Sequence, residues 1–211
     1  MGELFVSAFV TLFVVIDPPG CAPIYAGLTK DASWPQRRAM AIRACLIAAA
    51  ILLLFALFGE NLLAALHIEL DSFRIAGGIM VFLIALDMVF EKRTRRREER
   101  AERILHDHPS PEVEDISVFP MAMPMIAGPG SIATIMLLMG RAKGLDESLT
   151  ILAALGTVMG LTLVALLAAG PLLRLFGDRA EAVLTRLLGV VLAALAAQFV
   201  INGVRGSFGL H

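Results

Sequence analysis

The sequence predicts an all-α membrane protein whose six transmembrane segments form a 3+3 inverted repeat, with segments 1 and 4 broken at Pro/Gly motifs. Three observations predict it. Of 211 residues, 58% are hydrophobic and only 18% charged, against about 25% charged in ordinary soluble domains. The apolar residues fall into six runs, and six helices of ~20 residues would take up most of the chain. The first and fourth runs carry similar interruptions at corresponding places. This composition leaves no room for a large catalytic head and excludes a disordered or collagen-like chain. A net charge of −1 gives no reason to expect nucleic acid as a partner.

Each run has its own character. The first covers residues 4–28 and is interrupted by Asp17-Pro18-Pro19-Gly20. No Lys or Arg precedes it, so it lacks the basic start of a cleaved secretory signal and is expected to be retained. The second and third runs, residues 39–58 and 73–90, are apolar on all sides, as spans are and soluble core helices are not. Residues 91–115 form the one strongly polar stretch, with seven Lys and Arg interleaved with Glu98, Glu99 and Glu102. It reads as a basic linker beside anionic lipid, not as a nucleic-acid patch. His106 and His108 lack further ligands in that loop, and no metal site is expected. The fourth run covers residues 116–139 and breaks around Gly128-Pro129-Gly130. The fifth, 149–169, and sixth, 182–202, again have spanning length. Cys21 and Cys45 lie in or beside apolar runs, which argues against a disulfide framework.

The organisation that follows is a first three-helix repeat at 1–90, the linker at 91–115 and a second three-helix repeat at 116–211. Pro19-Gly20 aligns with Pro129-Gly130 at an offset of 110, and Arg74-Ile75-Ala76-Gly77 with Arg186-Leu187-Leu188-Gly189 at an offset of 112. Three spans per half is an odd number, so the second half enters the membrane from the opposite side. Counting Lys and Arg sets the orientation. With the N-terminus outside, 14 of the 18 fall on cytoplasmic flanks, so both termini are expected outside, in the periplasm of a bacterial inner membrane.

The interruptions carry the chemistry. Residues 4–16 make only 13 residues of helix, or about 20 Å, too short for a hydrocarbon core of about 30 Å. The break at residues 17–20 therefore lies within the bilayer, where irregular backbone persists only if protein, water or ligand satisfies it. The second half-helices are expected to start near Ala22 and Ser131, presenting N–H groups and the positive dipole end to the centre. The first halves, ending near Ile16 and Ile126, present carbonyls. Paired helix N-termini suit a carboxylate and C-termini suit an ammonium or small cation, so a small zwitterion fits, as does an anion with a coupling cation. The residues expected around it are Asp17, Pro19, Gly20, Cys21, Ala22 and Tyr25 from the first break, and Gly128, Pro129, Gly130, Ser131 and Thr134 from the second.

Asp17 is either a substrate or proton ligand or the N-cap of the helix that Pro18 opens; the two roles are compatible. Ser131 and Thr134 offer hydroxyls to a carboxylate or to their own helix carbonyls. Tyr25 either closes the site or packs at an interface. Gln198 and Asn202, one turn apart, and Asp87 are read as interfacial, and Arg74 and Arg186 as span-end residues that snorkel or pair locally. Gly156 and Gly160 form a G-x-x-x-G pair expected to serve internal packing more than dimerisation, with homo-oligomers left open.

At these residues the chain resembles the MarC family of bacterial inner-membrane proteins, whose relatives include SnatA-type small neutral amino acid transporters. The matching pieces are Asp17-Pro18-Pro19-Gly20-Cys21-Ala22-Pro23, Phe73 to Ile79, and Phe119-Pro120 through Ala127-Gly128-Pro129-Gly130-Ser131-Ile132. A weaker match runs from Arg186 to Gly203. The family often has Asn where this chain has Asp17. The resemblance implies six spans and an inner-membrane location; some relatives transport glycine, alanine and similar amino acids, and many have no assigned substrate. The leading function is thus a secondary transporter working by alternating access. No cofactor is expected beyond a coupling proton or Na+. The alternatives are a channel or exporter for another small solute or ion, or a non-transporting accessory protein. The sequence has no HExxH, GxSxG or P-loop, so catalysis is not expected.

Overall fold

In a computed structural model, residues 1–90 and 115–209 are described, and the side chains of 170–182, 184 and 185 are left aside. The basic linker at 91–114 and its His106 and His108 therefore lie outside the described residues. Everything regular among the described residues is helical. Eight helices among these residues follow in order: α1 Gly2–Ile16, α2 Pro18–Leu28, α3 Trp34–Ala65, α4 Leu70–Val89, α5 Ser117–Ile126, α6 Pro129–Met139, α7 Leu145–Leu167 and α8 Ala169–Ser207. Among the described residues, five stretches are long and apolar enough to span a membrane, α1 with α2 counting as one. The bent pair α5 and α6 makes a sixth if it is one span.

Local chemistry sets the helix ends. α1 stops because Pro18 and Pro19 carry no N–H for the carbonyls of Val14 and Val15. Asp17 takes the left-handed conformation there, φ 59°, tolerated by Asp better than by most residues. α3 opens with Pro35 in its first turn and with the Ser33 N–H donating to Gln36 Oε1 at 2.8 Å. It ends on His67 at φ 56°, with the Ile68 N–H donating to Leu63 O at 2.9 Å. α5 is unusually wide-wound. Phe119 and Met123 are extended, each preceding a proline, Pro120 and Pro124. Its axis meets that of α6 at 54°. Gly144, at φ 102°, makes the turn into α7.

The half-helices form the centre. α1 and α2 pack on α7, while α5 and α6 pack on α3. Leu12, Ile16, Met121, Ile126, Ile135, Ile151 and Leu155 fill the space between them. The closest pairing in the bundle joins α4 to α8. Glycines allow it: a Cβ at Gly78 would lie 3.0 Å from Ala196 O, and one at Gly189 would lie 2.9 Å from Met88 Cβ. Outside this centre, Leu53, Leu54, Leu57 and Phe58 of α3, Ile79 and Leu83 of α4, and Val164 of α7 are exposed. An apolar exterior of that extent suits lipid, not water.

Two sequence expectations are corrected here. Both half-helices restart earlier than expected, at Pro18 and Pro129, because proline is favoured in the first turn of a helix even though it ends the one before. The breaks themselves shrink to Asp17 and to Ala127-Gly128. Gly156 and Gly160 do not pack internally; both are exposed with nothing within 4 Å of a Cβ at either.

Candidate functional site

The two interruptions are buried and adjacent. A Cβ at Gly130, at the start of α6, would overlap Ile84 Cδ1 of α4 and stand 3.6 Å from Val15 Cγ1, at the end of α1. The C-terminus of the first half-helix thus lies against the N-terminus of the last. Sequence reasoning missed Val15 and Ile84, because nothing in an apolar run signals which members face a break.

At the first break, Asp17 is 2% exposed and its Oδ1 accepts from the Gly20 N–H at 3.1 Å. The Cys21 N–H donates to Asp17 O at 3.0 Å, and Pro18 and Pro19 have no N–H to offer. Every position in the first turn of α2 is therefore either satisfied or without a donor. Asp17 serves as a helix cap, one of the two roles its sequence context allows. Gly20 is required by that cap: a Cβ there would collide with the Asp17 carboxylate, standing 2.8 Å from its Cγ. Cys21 and Ala22 are buried, Pro19 is half-buried, and the Cys21 Sγ–H points to Ile16 O at 3.5 Å. Tyr25 is buried, and its hydroxyl donates to the backbone carbonyl of Arg37 in α3. It ties α2 to α3 and does not face the break.

The second break is more open. Gly128 supplies no side-chain cap, and Pro129 has no N–H. The first N–H of α6 to be taken is that of Ile132, which donates to Gly128 O at 3.0 Å. Among the described residues no hydrogen bond takes up the N–H of Gly130 or Ser131, and both residues are buried. One turn further on, Thr134 is 0% exposed and its Oγ1 has no hydrogen-bond partner. This departs from the habit of buried helical Thr, seen here at Thr162, whose hydroxyl donates to Val158 O at 2.8 Å. Gly128 allows close backbone contact, since a Cβ would overlap Pro124 O. Of the predicted residues, only Pro129 is exposed.

The site is therefore asymmetric. The expectation of two helix N-termini open to a carboxylate is corrected to one, that of α6, because Asp17 closes α2. Thr134 adds a hydroxyl one turn further along the same helix. The negative end of the α1 dipole lies beside it through Val15.

Elsewhere some polar residues pair with one another. Gln198 Nε2 donates to Asn202 Oδ1 at 2.8 Å. At the start of α5, Asp115 Oδ1 accepts from the Ser117 N–H at 3.0 Å, and Oδ2 meets Arg43 Nη1 at 2.5 Å. Gln36, Ala39, Met40, Arg43 and Asp115 line a cleft of about 180 Å³ at that end. The hydrogen bonds from Ser117, followed by the Arg43 charge, hold the Asp115 carboxyl below the ordinary carboxylate range.

Comparison with known proteins adds a family to this geometry. A family model described as MarC family integral membrane protein matches residues 2–208. UPF0056 membrane protein MJ1677 of Methanocaldococcus jannaschii is 36% identical, over 97% of this chain and 98% of its own. UPF0056 inner membrane protein YhgN of Escherichia coli is 35% identical, over 97% and 98%. UPF0056 membrane protein YvbG of Bacillus subtilis is 32% identical, over 99% and 97%. No solved structure matches the chain.

Proposed function

The chain belongs to the MarC family of integral multi-pass membrane proteins, and on that premise we propose that it is a secondary transporter of small neutral amino acids of the glycine and alanine class. The observation that carries the reading is the open N-terminus of α6, with the unpartnered Thr134 hydroxyl one turn inside it, at 0% exposure. Buried donors of this kind favour an anion, and within a span such free backbone groups call for protein, water or a ligand to satisfy them. Gly130 N–H, Ser131 N–H and Thr134 take the substrate carboxylate. Its ammonium lies toward the α1 C-terminus beside Val15. A zwitterion satisfies both ends without a net charge entering the membrane.

The packing supports an inverted 3+3 repeat. The first broken segment lies on α7, the helix after the second break; the second broken segment lies on α3, the helix after the first. A two-fold exchange of the halves maps one pairing onto the other and leaves α4 against α8. Rocking of the two halves about the shared site would expose it alternately. We place the protein in the bacterial inner membrane with both termini outside, as the Lys and Arg distribution favours, and driven by a proton or Na+ gradient.

Proteoliposomes with labelled glycine and alanine test the reading. Gradient-dependent uptake that is lost in Gly130→Leu is the expected result. Uptake unaffected by Gly130→Leu or Gly128→Leu would remove the central site.

A further inference from the structure

Far from the breaks, the start of α4 and the turn after α6 bring two arginines together at one end of the bundle. The guanidinium of Arg74 donates from Nη1 to Asp71 Oδ1 at 2.6 Å and from Nη2 to Gly140 O at 3.3 Å. Its Nε is buried and has no partner. Arg141 directly follows that Gly140. Its Cζ stands 4.8 Å from the centroid of the Phe199 ring of α8, and its Nη2 is also buried without a partner. Another carboxylate, Glu60, is close by: its Oε1 would be 3.1 Å from a Cβ at Gly140. Among the described residues it makes no ion pair with either arginine.

A guanidinium keeps its charge and offers five donors in a fixed plane. Leaving one of them buried without an acceptor costs about 1–3 kcal/mol. The aromatic face of Phe199 attracts the Arg141 cation as a whole but accepts nothing at Nη2. Charge adds to the case. Burial, and then the like charge of Arg74, hold the Arg141 pKa below its ordinary value. Two cations, one paired carboxylate and two buried donors without acceptors call for an added anion.

We propose that Arg74 and Arg141 form a binding site for a small carboxylate at this end of the bundle, separate from the helix breaks. A planar carboxylate matches guanidinium donors better than a spherical halide does. The transport reading supplies its source, the carboxylate of the cargo held at the outer mouth; the site rests on that reading for this step alone.

The test is calorimetric titration of the full-length chain in maltoside detergent with sodium acetate, at ionic strength held constant with chloride. Saturable acetate binding is expected, weakened about tenfold or more in Arg141→Gln. Arg141→Lys keeps the charge and loses the planar fork, so it should also weaken binding. Lys143→Gln, a change at an exposed cation nearby, should not. Acetate heats equal to those of chloride, binding unchanged in a folded Arg141→Gln or Arg141→Lys, or equal weakening by Lys143→Gln would each overturn the site. So would displacement of acetate by phosphatidylglycerol but not by other soluble carboxylates, which would assign the arginines to lipid. Labelled-glycine uptake by the same preparations separates the two readings. Arginine-dependent acetate binding without glycine uptake keeps this site and removes the transport reading. Glycine uptake with arginine-independent acetate behaviour does the reverse.

Discussion

Asp17 and Gly20 act as one unit. The carboxylate caps α2 by accepting from the Gly20 N–H, and it fits only because Gly20 has no side chain. Removing the cap with Asp17→Ala should destabilise the fold by about 1 kcal/mol. Gly20→Ala forces the carboxylate aside and should cost about 1–3 kcal/mol. The two effects should not add: in the Asp17→Ala background the methyl at position 20 has space, giving a coupling of about 0.5–3 kcal/mol. A double-mutant cycle of detergent-resistance midpoints measures it, and strict additivity would mean the two residues do not meet. Thr134 gives a functional counterpart. Thr134→Val keeps the shape and removes the hydroxyl, so substrate affinity should fall about tenfold or more if that hydroxyl holds a carboxylate. Binding of labelled alanine to the purified variant reads it directly, with unchanged affinity the contrary result.

Among the elements, α5 is the most irregular, and its start is held by charge. Asp115 caps Ser117 and pairs with Arg43 of α3. Its folded pKa is depressed, so the stabilisation it provides is fully present above the ordinary carboxylate value of about 3.9 and fades as pH falls through the lower, folded value. Carbon-13 NMR of labelled aspartate should therefore show Asp115 titrating below that ordinary value, and Arg43→Gln should move it upward. A midpoint at or above the ordinary value would contradict the pairing. The elements were only partly legible in the sequence. Apolar runs without a polar face gave the spans, since lipid requires nothing else of them. The half-helix starts were misplaced because Pro18 and Pro129 read as breakers, while a proline at the first helical position closes one helix and opens the next. The loss of free donors at α2 was hidden as well: an Asp before Pro-Pro-Gly reads equally as cap and as ligand until its oxygen is seen on the Gly20 N–H.

Across the whole molecule, the surface direction of each helix escaped the sequence for a related reason. A helix apolar on all sides has no face that period 3.6 can pick out, so Gly156 and Gly160 could be read inward when they face outward. The same uniformity leaves topology to the Lys and Arg count. Cysteines placed at Gly2 and at Ser207, in a chain freed of Cys21 and Cys45, should both react with an impermeant maleimide added to intact cells. Labelling of only one would break the six-span topology, and labelling of neither would reverse its orientation. In the proposed transport cycle a zwitterion seats its carboxylate on the open end of α6. The most direct measurement is solid-state NMR of the protein in bilayers, with alanine carrying carbon-13 at its carboxylate and nitrogen-15 in the Gly130 and Ser131 amides. A dipolar contact between that carbon and both nitrogens, lost in Gly130→Leu, is the predicted result. Bound alanine whose carboxylate contacts neither amide would contradict it.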